Sequence, residues 1–205
     1  MAKTGLLRPT YAPISSEPEN AAIVYTAGKT FAHAIQASVT FSRNDTPLYG
    51  DDTIIENDNG VTGVEITMGI DDIPEATQVD MLGVSQNGET GAEVYEVTNE
   101  SAPYVGFGYI EVKRKDGVVS YLSHWYHKVQ FALPDESTNT KGDKLEWQTP
   151  TMKGKGIGVY SDASGKLRFR ATKPCTTLAA AVTWLNGKAG IVAQGGVVQG
   201  GVKNV

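Results

Sequence analysis

The clearest alternation of apolar and polar residues in this chain lies between positions 104 and 133. Apolar side chains recur at every second position on both sides of Asp116 and Gly117, a pair suited to a two-residue turn because both residues can adopt positive φ. Successive side chains of a strand point to opposite faces, so the pattern predicts a long antiparallel β-hairpin in which Lys115 faces Val118. One predicted face is buried and consists of Ile110, Val112, Val119, Tyr121, Trp125, Val129 and Phe131. The other is solvated and consists of Glu111, Lys113, Lys115, Ser120, His124, Lys128 and Gln130.

Further segments with a period of two predict additional strands. The clearest are residues 31–42 and Val61–Ile70, and a shorter one covers residues 93–98. Weaker patterns occupy residues 145–160, with a break at Pro150, and residues 167–171. An isolated two-stranded hairpin is barely stable in water, so the long hairpin is expected to bury its apolar face against such elements.

Helical features are confined to two short segments. Residues 73–82 are expected to form a helix that Asp72 caps, with Glu75 as the return partner of a capping box, and Gly83 is expected to end it. Residues 178–185 are compatible with a second short helix. The sequence therefore predicts a mainly β protein with one short flanking α-helix.

The chain is expected to divide into an arm, a domain and a tail. Residues 1–20 contain three prolines and no steady period, which predicts an extended N-terminal arm. Residues 21–175 form the predicted β-rich domain, within which residues 43–60 are a long polar loop or hairpin. Residues 176–205 are expected to hold the short helix and a flexible, glycine-rich C-terminal tail.

Composition narrows the functional classes. The 205 residues are 40% hydrophobic and 20% charged, which is typical of a folded globular protein. A net charge of −5 argues against a dedicated binder of nucleic acid or anionic membrane, which would normally carry a basic stripe. The single cysteine, Cys175, rules out an internal disulfide. No signal-peptide core or apolar run of membrane-spanning length is recognisable, so no membrane association is expected.

Residues that could carry catalysis or bind a metal form no recognisable motif. His124 and His127 lie three apart on a predicted strand, so they point to opposite faces and cannot share a metal ion. The acidic residues between positions 43 and 60 fail the EF-hand spacing, because Ile55 takes the first ligand position when Gly60 is aligned as the turn glycine. Neither enzyme activity nor a cofactor is therefore expected.

Four short motifs occur in a specific order over residues 1–172. They are Leu48-Tyr49-Gly50-Asp51-Asp52, Ala102-Pro103-Tyr104-Val105-Gly106-Phe107-Gly108-Tyr109, Trp125-Tyr126-His127-Lys128-Val129-Gln130-Phe131, and Thr140-Lys141-Gly142-Asp143 followed by Leu145-Glu146-Trp147. In this order and spacing the motifs resemble the major tail protein of long-tailed bacteriophages, the phi-13 type.

The resemblance implies a fold, an assembly and a location. The fold would be a β-sandwich or barrel-like tail-tube subunit with one flanking helix. Six copies would form a ring, and rings would stack into the tube through which the genome leaves the capsid. The protein would then be a virion component that is assembled in the cytoplasm of the bacterial host. Its implied partners are further copies of itself, the tape measure, terminator and distal tail proteins, and double-stranded DNA in transit.

The residues suited to contacts between subunits or rings lie in the arm and in residues 43–60. They are Leu6, Leu7, Tyr11, Ile14, Leu48, Tyr49, Asp51, Asp52, Ile54 and Ile55. Six chains of charge −5 would give a ring of about −30, which would let polyphosphate slide without sticking. Lys113, Lys115 and Lys128 argue against a uniformly acidic bore if their face lines it, and the sequence does not decide which face does.

Two alternatives remain at the level of sequence. The first is a different ring protein of the same fold, such as a tail terminator or a tube protein of a type VI-like secretion system. The second is a carbohydrate-binding β-sandwich that stacks sugars on Trp125, Tyr126 and Trp147. The second would need these rings exposed together, which the predicted alternation disfavours for Trp125.

Overall fold

The computed structural model describes residues 2–19, 21–26, 28–86, 94–95, 101–134, 149–160 and 166–191. The described residues are mainly in β-strands with two helices, so the mainly β prediction is confirmed. The helices are α1 (Glu75–Leu82) and α2 (Leu178–Ala189). The strands are β1 (Ala2–Ser16), β2 (Val24–Tyr25), β3 (Lys29–Thr30), β4 (Ala34–Arg43), β5 (Thr46–Gly50), β6 (Thr53–Asp58), β7 (Val61–Ile70), β8 (Ser85–Gln86), β9 (Val94–Tyr95), β10 (Tyr104–Lys115), β11 (Val118–Ala132), β12 (Thr151–Gly156), β13 (Val159–Tyr160), β14 (Leu167–Arg168) and β15 (Arg170–Cys175).

One antiparallel sheet organises the molecule. Its strand order is β2-β1-β10-β11-β12-β7-β4, with β3 added beside β1 and β15 added beside β11. Strands β1 and β4 lie near opposite ends of this order, yet they contact each other, so the sheet curls round and encloses one of its faces. Residues of both halves of the sheet, such as Tyr11 and Ile66, therefore share one core.

The long hairpin has the predicted turn and register. Lys115 pairs with Val118, and Glu111 pairs with Leu122. Asp116 and Gly117 have φ values of 51° and 80°, as a two-residue turn of this kind requires.

An irregularity near the base of the long hairpin changes which side chains share a face. Val105 lies opposite Val129, but Phe107 lies opposite Tyr126, so β11 uses three residues where β10 uses two. Because side chains alternate with a period of two, one extra residue moves all later side chains to the other face of the sheet. The prediction of one common buried face is therefore wrong.

The two faces of the hairpin instead contribute to two cores. The inner core lies on the enclosed face and receives Val129 and Phe131. The helix core lies on the other face beneath α2 and receives Ile110 and Trp125. Its fully buried helix residues are Ala181, Leu185 and Ala189.

Several hairpin residues differ from their predicted exposure. Val112 and Tyr121 are only half-buried, and Val119 is 36% exposed, because the hairpin extends beyond both cores towards its turn. Conversely, Glu111 and His124 were assigned to the solvated face but are buried. They belong to the enclosed face, which the curled sheet covers.

The first residues of the chain form a strand of the main sheet, so the predicted N-terminal arm is wrong for Ala2–Ser16. Strand β1 runs antiparallel to β10 from Ala2 to Pro13, and its last residues pair with β2. Its Pro9 falls in a bulge between Leu7 and Thr10, where a missing N–H is tolerated. Tyr11 and Ala12 are fully buried, Tyr11 in the inner core and Ala12 in the helix core.

The helix ends were predicted in part. Helix α1 lies within the expected segment and ends at Gly83, but no side chain caps its N-terminus, so the capping box of Asp72 is wrong. Helix α2 continues four residues past the predicted end, to Ala189. At its start, the backbone N–H of Ala180 donates to Thr177 Oγ1, 3.3 Å away. The predicted glycine-rich flexible tail lies outside the described residues from position 192 onwards.

Candidate assembly surfaces

The segment 43–60 folds as a second hairpin, which we call the short hairpin. Strands β5 and β6 pair with each other and with no other described strand. Asp51 and Asp52 form the turn with φ values of 48° and 60°, a conformation that Asp tolerates better than most residues. At the base, the backbone N–H of Asn44 donates to the carbonyl of Gly60 over 2.8 Å.

Large apolar side chains are exposed on the short hairpin. The exposed fractions are 58% for Leu48, 65% for Tyr49, 58% for Ile54 and 67% for Ile55. Burying one large apolar side chain stabilises by about 1.5–3 kcal/mol, so a partner that covered these four would gain several kcal/mol. Tyr49 pairs with Ile54 and therefore shares a face with it, and exposed apolar side chains of this kind on a projecting element are typical of an interaction site.

The short hairpin is also strongly acidic. Residues 43–60 contain five acidic residues and one arginine, which gives a net charge of −4. The described part of the chain offers no ion pair to any of these six side chains. It also contains no group of three or more acidic, histidine or cysteine side chains placed to hold a metal ion.

The edge of the main sheet at β4 is a second open surface. Strand β4 pairs with β7 on one side, and no described strand pairs with its other side. Ala37, Val39 and Phe41 pack towards the inner core, so the strand is held in place. Ten residues of unpaired strand edge are about 33 Å of backbone donors and acceptors, which is a template for another strand.

The turn end of the long hairpin, residues 112–121, is a third open surface, which we call the basic end. It carries Lys113, Arg114 and Lys115, and only one acidic residue, Asp116. Val118 beside the turn is 67% exposed. Like the short hairpin, this end combines charge with exposed apolar surface.

A buried ion-pair cluster closes the enclosed face next to the basic end. Glu111 lies 2.6 Å from Lys3 Nζ and 3.4 Å from His124 Nε2. Burial raises the pKa of Glu111, but its contacts with Lys3 and His124 outweigh burial, so the net pKa is lowered. Burial also lowers the pKa of His124 to about 4, against the opposing effect of Glu111. His124 is therefore neutral at pH 7, and the charges that hold the carboxylate are Lys3 and, at 3.8 Å, Lys113.

The remaining histidine and aromatic candidates are structural. His127 is buried, and its pKa is lowered to about 4. Burial is the largest cause, and the nearby charges of Lys188 and Arg168 lower the pKa further. Trp125 and Tyr126 are both fully buried, on opposite faces of the sheet. They cannot form a platform for sugar rings, and Trp147 lies outside the described residues.

The predicted contact residues separate into two groups. Tyr11 is fully buried, and its hydroxyl donates to Asp80 Oδ2 over 2.7 Å, so its assignment to a contact surface is wrong. Leu6, Leu7 and Ile14 of β1 are half-buried. The short hairpin brings together the other six, which are Leu48, Tyr49, Asp51, Asp52, Ile54 and Ile55. Sequence reasoning placed Lys113 and Lys115 on the solvated face but did not predict the basic end as a contact surface, although the three consecutive basic residues 113–115 were a signal for it.

No protein-family model matches this chain, and no curated protein matches it significantly. Within the described residues, neither helix has the length and apolar character needed to cross a membrane.

Proposed function

We propose that this chain is a structural subunit of a bacteriophage tail tube, in which six copies form a ring and rings stack into the conduit for the genome. The observation that carries the proposal is the short hairpin. It projects four large apolar side chains that the described parts of its own chain do not cover. A two-stranded hairpin is marginal by itself in water, so contact with another molecule would stabilise it.

The open edge of β4 supports the lateral part of this assembly. An unpaired edge is a liability for a free protein, because any exposed strand can add to it. Closing several subunits into a ring by strand-to-strand contact removes such edges, as closure does in a barrel. The β-sandwich or barrel-like tail-tube fold is part of the proposal, and the curled sheet is compatible with it.

The axial part of the assembly follows from the asymmetry of the subunit. The short hairpin and the basic end are different surfaces, so a contact between them is heterologous. Each time a subunit is added, one short hairpin and one basic end remain free at the two ends of the growing assembly. Such contacts extend without limit, which suits a tube better than a terminator ring. The implied partners beyond other copies of the chain are the tape measure, terminator and distal tail proteins, with DNA passing transiently.

The decisive experiment is electron microscopy of the purified protein over a wide concentration range, together with analytical ultracentrifugation. Hollow tubes of constant diameter with a regular axial repeat are the expected result. Isolated rings that never stack would favour the terminator alternative. A protein that stays monomeric at every concentration, with or without preformed tail tips as initiators, would refute the proposal.

A further inference from the structure

The two projecting hairpins carry opposite charge. Residues 43–60 have a net charge of −4, whereas residues 112–121 contain three basic residues and one acidic residue, which gives +2. The whole chain has a net charge of −5, so the basic end stands out against an acidic background.

Most of these charges have no ion-pair partner among the described residues; the exception is Lys113, whose Nζ lies 3.8 Å from Glu111 Oε2. Buried or partly buried acidic residues elsewhere have partners, such as Asp80 with Lys29 at 2.8 Å and Glu111 with Lys3 at 2.6 Å. In contrast, Arg114 and Lys115 form no ion pair with any described residue. The same holds, over the described ranges, for the acidic side chains of the short hairpin.

Both hairpins place apolar side chains beside these charges. On the short hairpin, Ile54 and Ile55 directly precede Glu56, and on the long hairpin Val118 pairs with Lys115. Apolar contacts supply most of the binding energy at protein interfaces, while complementary charges select the partner and its orientation. Each hairpin therefore has both components of a selective contact, with the charges reversed between them.

We propose that the acidic short hairpin of one copy docks on the basic end of the long hairpin of the next copy. This inference rests on the proposed function, since it names the surfaces through which neighbouring tube subunits recognise each other. The occupant is a second copy of the chain because the complementary acidic and apolar surface is on the same molecule. A nucleic acid is the less suitable partner for the basic end, since Val118 and Val119 offer nothing to phosphates.

The charge pairing can be tested by reversal and rescue. In the first variant, Arg114→Glu and Lys115→Glu make the basic end acidic. In the second, Asp51→Asn and Asp52→Asn remove two charges while keeping residues that tolerate positive φ, and Asp45→Lys with Glu56→Lys reverses two more, so that residues 43–60 change from −4 to +2 while the first variant changes residues 112–121 from +2 to −2. We expect each variant to raise the critical concentration for tube formation at least tenfold, which corresponds to about 1.4 kcal/mol. The combination of both variants is expected to return the critical concentration to within about threefold of that of the parent.

A matched control separates pairing from general charge effects. Lys155→Glu with Lys166→Glu produces the same change in net charge as the first variant, at exposed positions outside the short hairpin and the basic end. This control is expected to assemble like the parent. Circular dichroism and thermal unfolding of each variant below its critical concentration show whether the subunit remains folded.

The outcomes distinguish this inference from the proposed function. If the parent forms tubes and either hairpin variant assembles equally well, or if the combined variant is not rescued, the charge pairing is refuted while the tube proposal stands. If the parent forms no ring or tube, the proposed function is refuted, and this inference with it. If the first variant assembles normally but loses affinity for a DNA duplex that the parent binds, the basic end is a nucleic-acid surface instead.

Ionic strength gives a second test that needs no variant. Raising the salt concentration from 0.1 M to 1 M shortens the Debye length from about 10 Å to about 3 Å, which screens exposed charge pairs. Parent tubes are expected to have a higher critical concentration in high salt. Unchanged or stronger assembly in high salt would contradict the proposal even if a variant failed to fold.

Discussion

Gly108 provides a strict test of how the helix core is packed. A Cβ atom added at this position would lie 2.4 Å from the backbone oxygen of His124 and 2.7 Å from side-chain atoms of Leu185 and Trp125. Contacts this short do not occur in real structures, so Gly108→Ala must displace the neighbouring strand or separate α2 from the sheet. The glycine is needed because strand, indole ring and helix approach the same point.

The magnitude follows from which atoms have to move. Inserting extra volume into a well-packed core costs about 1–3 kcal/mol, and the contact with a backbone atom places Gly108→Ala at about 3 kcal/mol or above. For a domain of this size, 1 kcal/mol shifts the midpoint of thermal unfolding by about 2–4 °C, so a decrease of about 6–12 °C is expected. Urea titration followed by circular dichroism measures the free energy of unfolding directly.

Gly187→Ala is the matched control for the same chemical change. Gly187 lies inside α2, and an added Cβ would meet no atom within 4 Å. Replacing a glycine within a helix by alanine stabilises by about 0.5–1 kcal/mol, so this variant should be more stable than the parent. Equal stability of the Gly108→Ala protein and the parent would show that Trp125 and α2 do not pack on β10 as described.

Three further predictions concern assembly, the chain end and pH. Ile54→Asn with Ile55→Asn should leave the thermal stability of the subunit within about 1 kcal/mol of the parent, as expected for exposed residues, but abolish tubes in electron micrographs. Removing residues 187–205 should cost several kcal/mol in urea titration, because it deletes the buried Ala189 and the carbonyl to which the Gly28 backbone N–H donates over 3.0 Å. His127 binds its proton more weakly in the folded state, at a pKa of about 4 against 6.5, so the unfolded state takes up more protons between these values. Stability should then fall by about 2 kcal/mol on going from pH 7 to pH 5 from this residue alone, and His127→Gln should reduce that slope.

The long hairpin could be predicted because its information is local. Asp116 and Gly117 set the turn, and the turn sets the register of the strands on both sides of it. The prediction stayed correct only as far as the bulge before Val129. At this bulge β11 changes its neighbouring strand. It pairs with β15 up to Tyr126 and with β12 from Val129 onwards. The partner strands are distant in sequence, so no local pattern in β11 reveals where the faces exchange.

The strand β1 was missed for a related reason. Its pairing with β10 joins residues about one hundred positions apart, and its prolines suppress the usual strand pattern. Arg8, next to Pro9, has a positive φ of 52°, so the backbone departs from regular strand geometry at the bulge and the strand can continue on both sides of the proline. In the candidate site, the short hairpin was visible from sequence because its apolar residues interrupt a polar segment. The exposure of these apolar residues and the absence of ion-pair partners in the described residues could be recognised only from the structure.

The distribution of completed and uncompleted contacts bears on the order of folding and assembly. The inner core and the helix core are formed entirely within one chain, from fully buried side chains such as Trp125, Phe131 and Leu185. The three open surfaces described above, which are the short hairpin, the edge of β4 and the basic end, lie outside those cores. A subunit built in this way can fold before it meets another copy. The like charges on each hairpin then oppose contact between identical surfaces, while leaving contact between different surfaces favourable. Association between different surfaces is the kind that builds an open chain of subunits rather than a closed dimer.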